Sequence, residues 1–80
     1  MRMKTAYSEE EKRFLRDLGN TIKHYRTLCD LSQEKLAFAS NLDRTYIGSV
    51  ERGERNISVI NLNKIATSLN IKPSELMKTA

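Results

Sequence analysis

Apolar residues recur three and four apart along most of the chain, and no stretch keeps the strict alternation that a half-buried strand needs. Phe14, Leu18, Ile22, Tyr25 and Cys29 define one helical face, which Leu15 and Leu28 widen. Ser8 and Glu11 have the spacing of a capping box, so the first helix is predicted to start near Ser8 or Glu9. Gly19 lies inside it, at a cost of about 1 kcal/mol relative to alanine. It marks either the close approach of another element or a tolerated flaw.

The other helix starts share one device. An apolar residue just before an N-cap packs on the fourth helical residue, a hydrophobic staple. Leu31 and Leu36 have this spacing around Ser32, Leu42 and Ile47 around Asp43, and Ile57 and Leu62 around Ser58. Ile71 and Leu76 have it around Lys72, with Pro73 at the favoured first helical position. Ser and Asp are residues whose side chains accept from free amides at a helix start. The predicted helices are residues 9–29, 33–40, 44–52, 59–69 and 73–78, after a frayed segment 1–7. Asn41, Gly53 and Asn70 suit the left-handed conformation that ends many helices. Only Asn41, Leu42 and Asp43 separate the second helix from the third, the geometry of a helix-turn-helix. The expected fold is all-α, five helices in a single domain spanning 1–80.

Composition narrows the class. Eighty residues support one domain with a modest core. Cys29 is the only cysteine, so it forms no internal bridge, and with the single His24 it makes no zinc site. Cys29 is expected to be a buried helix residue, and dimerisation is the remaining source of stability. No apolar run approaches the ~20 residues of a membrane span, and residues 1–11 lack the apolar stretch of a signal peptide. The expectation is a cytoplasmic protein with no membrane partner. A net charge of +4 favours a polyanion. No Gly-rich phosphate loop, nucleophile elbow or paired carboxylates are visible, so neither an enzyme nor a metal or other cofactor is expected. Glu9, Glu10 and Glu11 suit the positive end of a helix dipole, and His24 reads as solvated.

The chemistry concentrates on the third helix. Ile47 and Val50 form its core side, leaving Arg44, Thr45, Gly48, Ser49 and Arg52 for other directions. That surface is short of carboxylates and rich in donors. Arginine can fork onto guanine O6 and N7, and threonine offers a hydroxyl and a methyl. Gly48 and Ser49 are small enough to let the helix backbone sink towards base edges. Arg55 and Asn56 in the following loop can reach phosphates, and Gln33 opens the second helix, where free amides suit a phosphate. The bland alternative is a solvated polar helix. Glu51 meets the negative end of its own helix dipole and needs a cation, and Arg26 on the first helix is expected to supply it.

These segments resemble a known family. Leu18 to Arg26 and Leu31 to Ala37 resemble the opening of phage-repressor-like helix-turn-helix domains. Leu42-Asp43-Arg44-Thr45-Tyr46-Ile47-Gly48-Ser49-Val50-Glu51-Arg52-Gly53-Glu54-Arg55-Asn56 is similar to the controller proteins of restriction–modification systems, and Leu62–Leu69 and Ile71–Leu76 continue the likeness. The resemblance implies a transcriptional regulator of double-stranded DNA that activates and represses its own operon. Arg44 and Thr45 would reach base edges, and Ser49 is grouped with them. Gln33, Tyr46, Arg52, Arg55 and Asn56 would hold the DNA backbone, with Arg26 and Glu51 as an internal ion pair. Many controllers place Ser before Gly after the Tyr-Ile pair, whereas Gly48 precedes Ser49 here. The hydroxyl is thereby moved about 100° around the helix, so Ser49 either faces the groove or turns aside. The resemblance also implies a homodimer through the C-terminal helices, for which Leu69, Ile71, Leu76 and Met77 are candidates. Glu34 sits where phage repressors carry an acidic residue for RNA polymerase. Its alternative is a carboxylate favoured by the helix dipole. A phage-type repressor or an antitoxin-like partner of another protein are the rival functions.

Overall fold

The computed structural model describes residues 6–78, and most of the segment expected to fray lies outside them. Five helices follow in order: α1 (Glu9–Leu28), α2 (Gln33–Ser40), α3 (Arg44–Glu51), α4 (Val59–Ser68) and α5 (Pro73–Leu76). No strand occurs among the described residues. The starts follow the sequence pattern. Ser8 closes a full capping box with Glu11, and the hydroxyls of Ser32 and Ser58 accept from the amides of Lys35 and Asn61. Asp43 differs: it has the extended backbone of an N-cap, but its carboxylate makes no cap hydrogen bond. Leu42 therefore carries more of the burden of fixing the entry to α3.

The helix ends also repeat one device. Asp30, Asn41, Gly53 and Asn70 all have φ between 59° and 76°. Each reverses the chain so that two amides bond back to the preceding helix. After α3, Gly53 N donates to Val50 O at 3.0 Å and Glu54 N to Ser49 O at 2.9 Å, a Schellman closure. After α1, α2 and α4 the second of these amides belongs to Leu31, Leu42 and Ile71. Those same residues pack against the core just ahead of the next helix. One apolar residue thus closes one helix and staples the next, which keeps the turns short. Only α3 breaks the rule. Its closing residue is the polar Glu54, and the stapling Ile57 comes three residues later. The loop between them is freed to carry Arg55 and Asn56.

The core joins Leu18 and Ile22 of α1 to Leu36 of α2, Ile47 and Val50 of α3, Ile65 of α4 and Leu76 of α5. Packing pairs α2 with α3, lays α1 across α3, and sets α4 against α2 and α5. Gly19 marks the crossing of α1 and α3. A Cβ there would collide with the carbonyl oxygen of Val50 and stand 2.6 Å from that of Glu51. Three expectations for α1 fail at its ends: Phe14 and Leu28 are exposed, and Cys29 is an exposed C-cap residue whose Sγ lies 3.8 Å from Leu69 O. The cause is length. A helix of 20 residues spans about 30 Å, more than the shorter helices beneath it can cover. No helix among the described residues is long and apolar enough to cross a membrane.

Candidate nucleic-acid interface

Ile47 and Val50 turn one side of α3 into the core and so fix what the other side presents. Arg44 and Thr45, on its first turn, are exposed. Arg44, Gly48 and Arg52 share one stripe at four-residue intervals. A Cβ on Gly48 would lie 3.0 Å from a terminal nitrogen of Arg44, 3.2 Å from one of Arg52 and 3.6 Å from Gln33 Oε1. Two guanidinium groups and an amide therefore converge over bare helix backbone. Gly48 is where this surface comes closest to the helix axis.

Ser49 does not share the surface. It is 6% exposed, and its hydroxyl donates to Tyr46 O at 2.8 Å. The expected base-reading role of Ser49 is overturned, because its side chain is buried and its hydroxyl proton is taken by the carbonyl of Tyr46. The Gly-Ser order sets the buried Gly48 beneath the side chains of Arg44, Arg52 and Gln33.

Behind the stripe lies a buried charge network. Glu51 accepts from Arg26 Nε at 2.6 Å, from Arg26 Nη2 at 3.1 Å and from Gln33 Nε2 at 2.8 Å. Arg26 also donates to Leu31 O at 2.7 Å. One carboxylate thus ties α1, the start of α2 and the end of α3 together. Gln33 is held by this network at the first position of α2, where its backbone amide is among those left free by the helix.

The loop side has its own arrangement. Arg55 lies over the Tyr46 ring, 5.4 Å from its centroid. The Tyr46 hydroxyl accepts from Asn61 Nδ2 at 3.1 Å, which leaves its proton free to donate outward. Asn61 was not singled out in the sequence, since nothing in its spacing shows that α4 returns to Tyr46. Asn56 is exposed beside Phe14 and Tyr7. Arg52 Nε and Nη2 donate to the two oxygens of Glu54 at 3.0 and 3.1 Å. Hydrogen bonding to Arg52 holds the Glu54 carboxyl below its ordinary value, and the same contact raises the arginine.

The remaining candidates separate. Glu34 is exposed on α2, one turn before Phe38, which is 91% exposed. Leu69 and Leu76, expected at a dimer interface, are buried inside the protomer instead. They fill the space between α1, α4 and α5. Ile71 is half-buried and Met77 exposed. Two residues outside the expected set, Val59 and Ile60, are 82% and 70% exposed at the start of α4. Their signal was a surplus of apolar residues on the first turn. No cluster of three or more His, Cys, Asp or Glu residues that could hold a metal exists among the described residues.

An exposed donor-rich helix, set behind a short turn and braced by a first helix, defines a class. The helix-turn-helix family model (HTH_3) matches residues 22–76, and the chain belongs to this family, the class whose second helix is built to lie in the DNA major groove. Within it, the chain is similar to control proteins. It is 50% identical over 60 residues to control protein C.BamHI of Bacillus amyloliquefaciens, covering 74% of each chain. It is 51% identical over 59 residues to control protein C.MunI of a Mycoplasma species, covering 72% of this chain and 80% of that protein. Among solved structures it resembles the restriction–modification controller protein C.AhdI from Aeromonas hydrophila, with 53% identity and a TM-score of 0.77 over 78% of this chain and 94% of that one.

Proposed function

We propose that the protein is the controller of a restriction–modification operon and acts in the cytoplasm as a homodimer on near-palindromic operators. The observation that carries this reading is the identity of about half to control proteins over most of both chains. Arg44 and Thr45 read base edges from the first turn of α3, Arg44 by a fork onto a guanine. Gln33, Tyr46, Arg52, Arg55 and Asn56 hold the phosphates on either side. Gly48, with no side chain, leaves room for Arg44, Arg52 and Gln33 to converge over α3. Two-fold pairing sets the two α3 helices to successive half-sites about 34 Å apart. Val59 and Ile60, with Ile71 and Met77 as further apolar surface, form the dimer contact. Activation requires a contact with RNA polymerase, and Glu34 with the exposed Phe38 supplies its acidic and apolar parts.

Footprinting on the DNA upstream of the protein's own gene tests the reading. Two protected half-sites one helical turn apart are expected, with methyltransferase and endonuclease genes alongside. Protection of a single half-site, or none, sinks it. For the polymerase contact, Glu34→Lys is expected to retain operator binding and lose activation, as read in a promoter assay. Undiminished activation removes Glu34 from the role.

A further inference from the structure

Between α1 and the recognition surface lies an open recess of about 320 Å³, lined by Arg16, Asn20, Lys23, Gln33, Glu51 and Arg52. Arg16, Asn20 and Lys23 stand at four- and three-residue intervals, so they share one exposed face of α1. That face is held tightly against the end of α3. A Cβ on Gly53 would stand 2.8 Å from both Cα and Cγ of Arg16, and φ of 76° makes glycine suited to the position on conformational grounds as well. The approach sets Arg16 beside Arg52.

The electrostatics of the recess favour an anion. Glu51, its only acidic lining residue, is already satisfied by Arg26 and Gln33. Among the described residues, neither Arg16 nor Lys23 is paired with a carboxylate. Arg52 is held by Glu54, a pair that an incoming anion can exchange. Gln33 lines the recess from the start of α2. Cations from α1 and α3 and the polar Gln33 of α2 therefore surround one concave surface, next to Arg44 and Arg52 on α3.

We propose that this recess binds a phosphate of the DNA backbone, and that Arg16 and Lys23 of α1 are phosphate-binding residues. The inference rests on the reading that the exposed face of α3 enters the major groove. With α3 in the groove, its C-terminal flank meets a bordering strand, and α1 adds a third element to the grip.

The test is the salt dependence of operator binding by the full chain. Each phosphate contact contributes about 0.9 to the slope of log affinity against log salt. Arg16→Gln, which keeps the stem against Gly53, and Lys23→Gln are each expected to flatten the slope, and together to flatten it by about 0.9 per bound protomer, the contribution of the one phosphate they share. Lys78→Gln, which removes a cation paired with Glu75 at 3.2 Å beyond α5, is expected to leave it unchanged. An Arg16→Gln/Lys23→Gln double variant that folds with the wild-type midpoint and keeps the wild-type slope overturns the proposal. Wild-type protein that binds no duplex at all overturns the groove reading itself, an outcome distinct from a retained slope. Inorganic phosphate, titrated by NMR, separates the two sources of the anion. Saturable shifts at Arg16, Asn20 and Lys23 together with an unchanged DNA slope would assign the recess to a free anion and overturn the DNA assignment.

Discussion

At the scale of single residues, Glu54 grips Arg52 at two points, in the planar fork geometry that a phosphate also offers. If Arg52 holds a phosphate as proposed, DNA displaces that carboxylate and tolerates its charge nearby. Glu54→Gln is therefore expected to raise affinity for random duplex and steepen its salt slope by about 0.9 per protomer, measured by fluorescence anisotropy at several salt concentrations. Because the folded carboxyl is held below its ordinary 4.5, the pair is complete above that pH and is lost as pH falls through the depressed value. Arg44 has no such restraint among the described ion pairs. Arg44→Ala is expected to cost about 1–3 kcal/mol on the cognate operator and to relax preference at one base pair. Equal losses on cognate and random DNA would reassign Arg44 to the backbone.

At the scale of elements, the placement of α3 depends on its crossing with α1. Gly19 permits the approach, and the Arg26–Glu51 pair locks it where the side chains are 12% and 3% exposed. A pair so buried contributes to geometry more than to net stability, but removing one partner strands the other. Glu51→Gln leaves Arg26 buried without its counter-charge and is expected to cost about 3–5 kcal/mol in chemical denaturation. It is also expected to weaken DNA binding, since one amide oxygen must then serve both Arg26 and Gln33, which the two carboxylate oxygens hold together. An unchanged midpoint would mean that Arg26 finds solvent instead. The pair was legible in the sequence, because a carboxylate at a helix C-terminus calls for a cation. The participation of Gln33 was not, since it depends on how closely α2 begins beside the end of α3.

For the whole molecule, the question is what completes so small a core. Val59 and Ile60 present apolar surface at the start of α4, beside the loop carrying Arg55 and Asn56. A dimer formed there would add apolar burial that the protomer lacks and would fix the spacing of two α3 helices. Val59→Glu with Ile60→Glu is expected to preserve the fold, since both side chains are exposed, and to shift sedimentation to the monomer. Operator affinity should fall with it. A double variant that remains dimeric would move the interface elsewhere on the C-terminal helices.

The chain by itself determined its helices, because caps, staples and left-handed closures are local and are set by residues a few positions apart. It also determined which helix would be rich in donors, and that Arg44 and Thr45 would stand at that helix's exposed start. Only tertiary structure decided which apolar residues are inside. Phe14, Leu28 and Cys29 share helical spacing with the core yet overhang it, while Leu69 and Leu76 fill the protomer rather than facing a partner. It also decided that Ser49 turns inward and that Gly48 lies beneath Arg44 and Arg52, and it brought Arg16 and Lys23 to one recess with Gln33, Glu51 and Arg52. Periodicity gives a residue's direction around its own helix axis. Where that direction leads depends on what another helix, distant in sequence, places there.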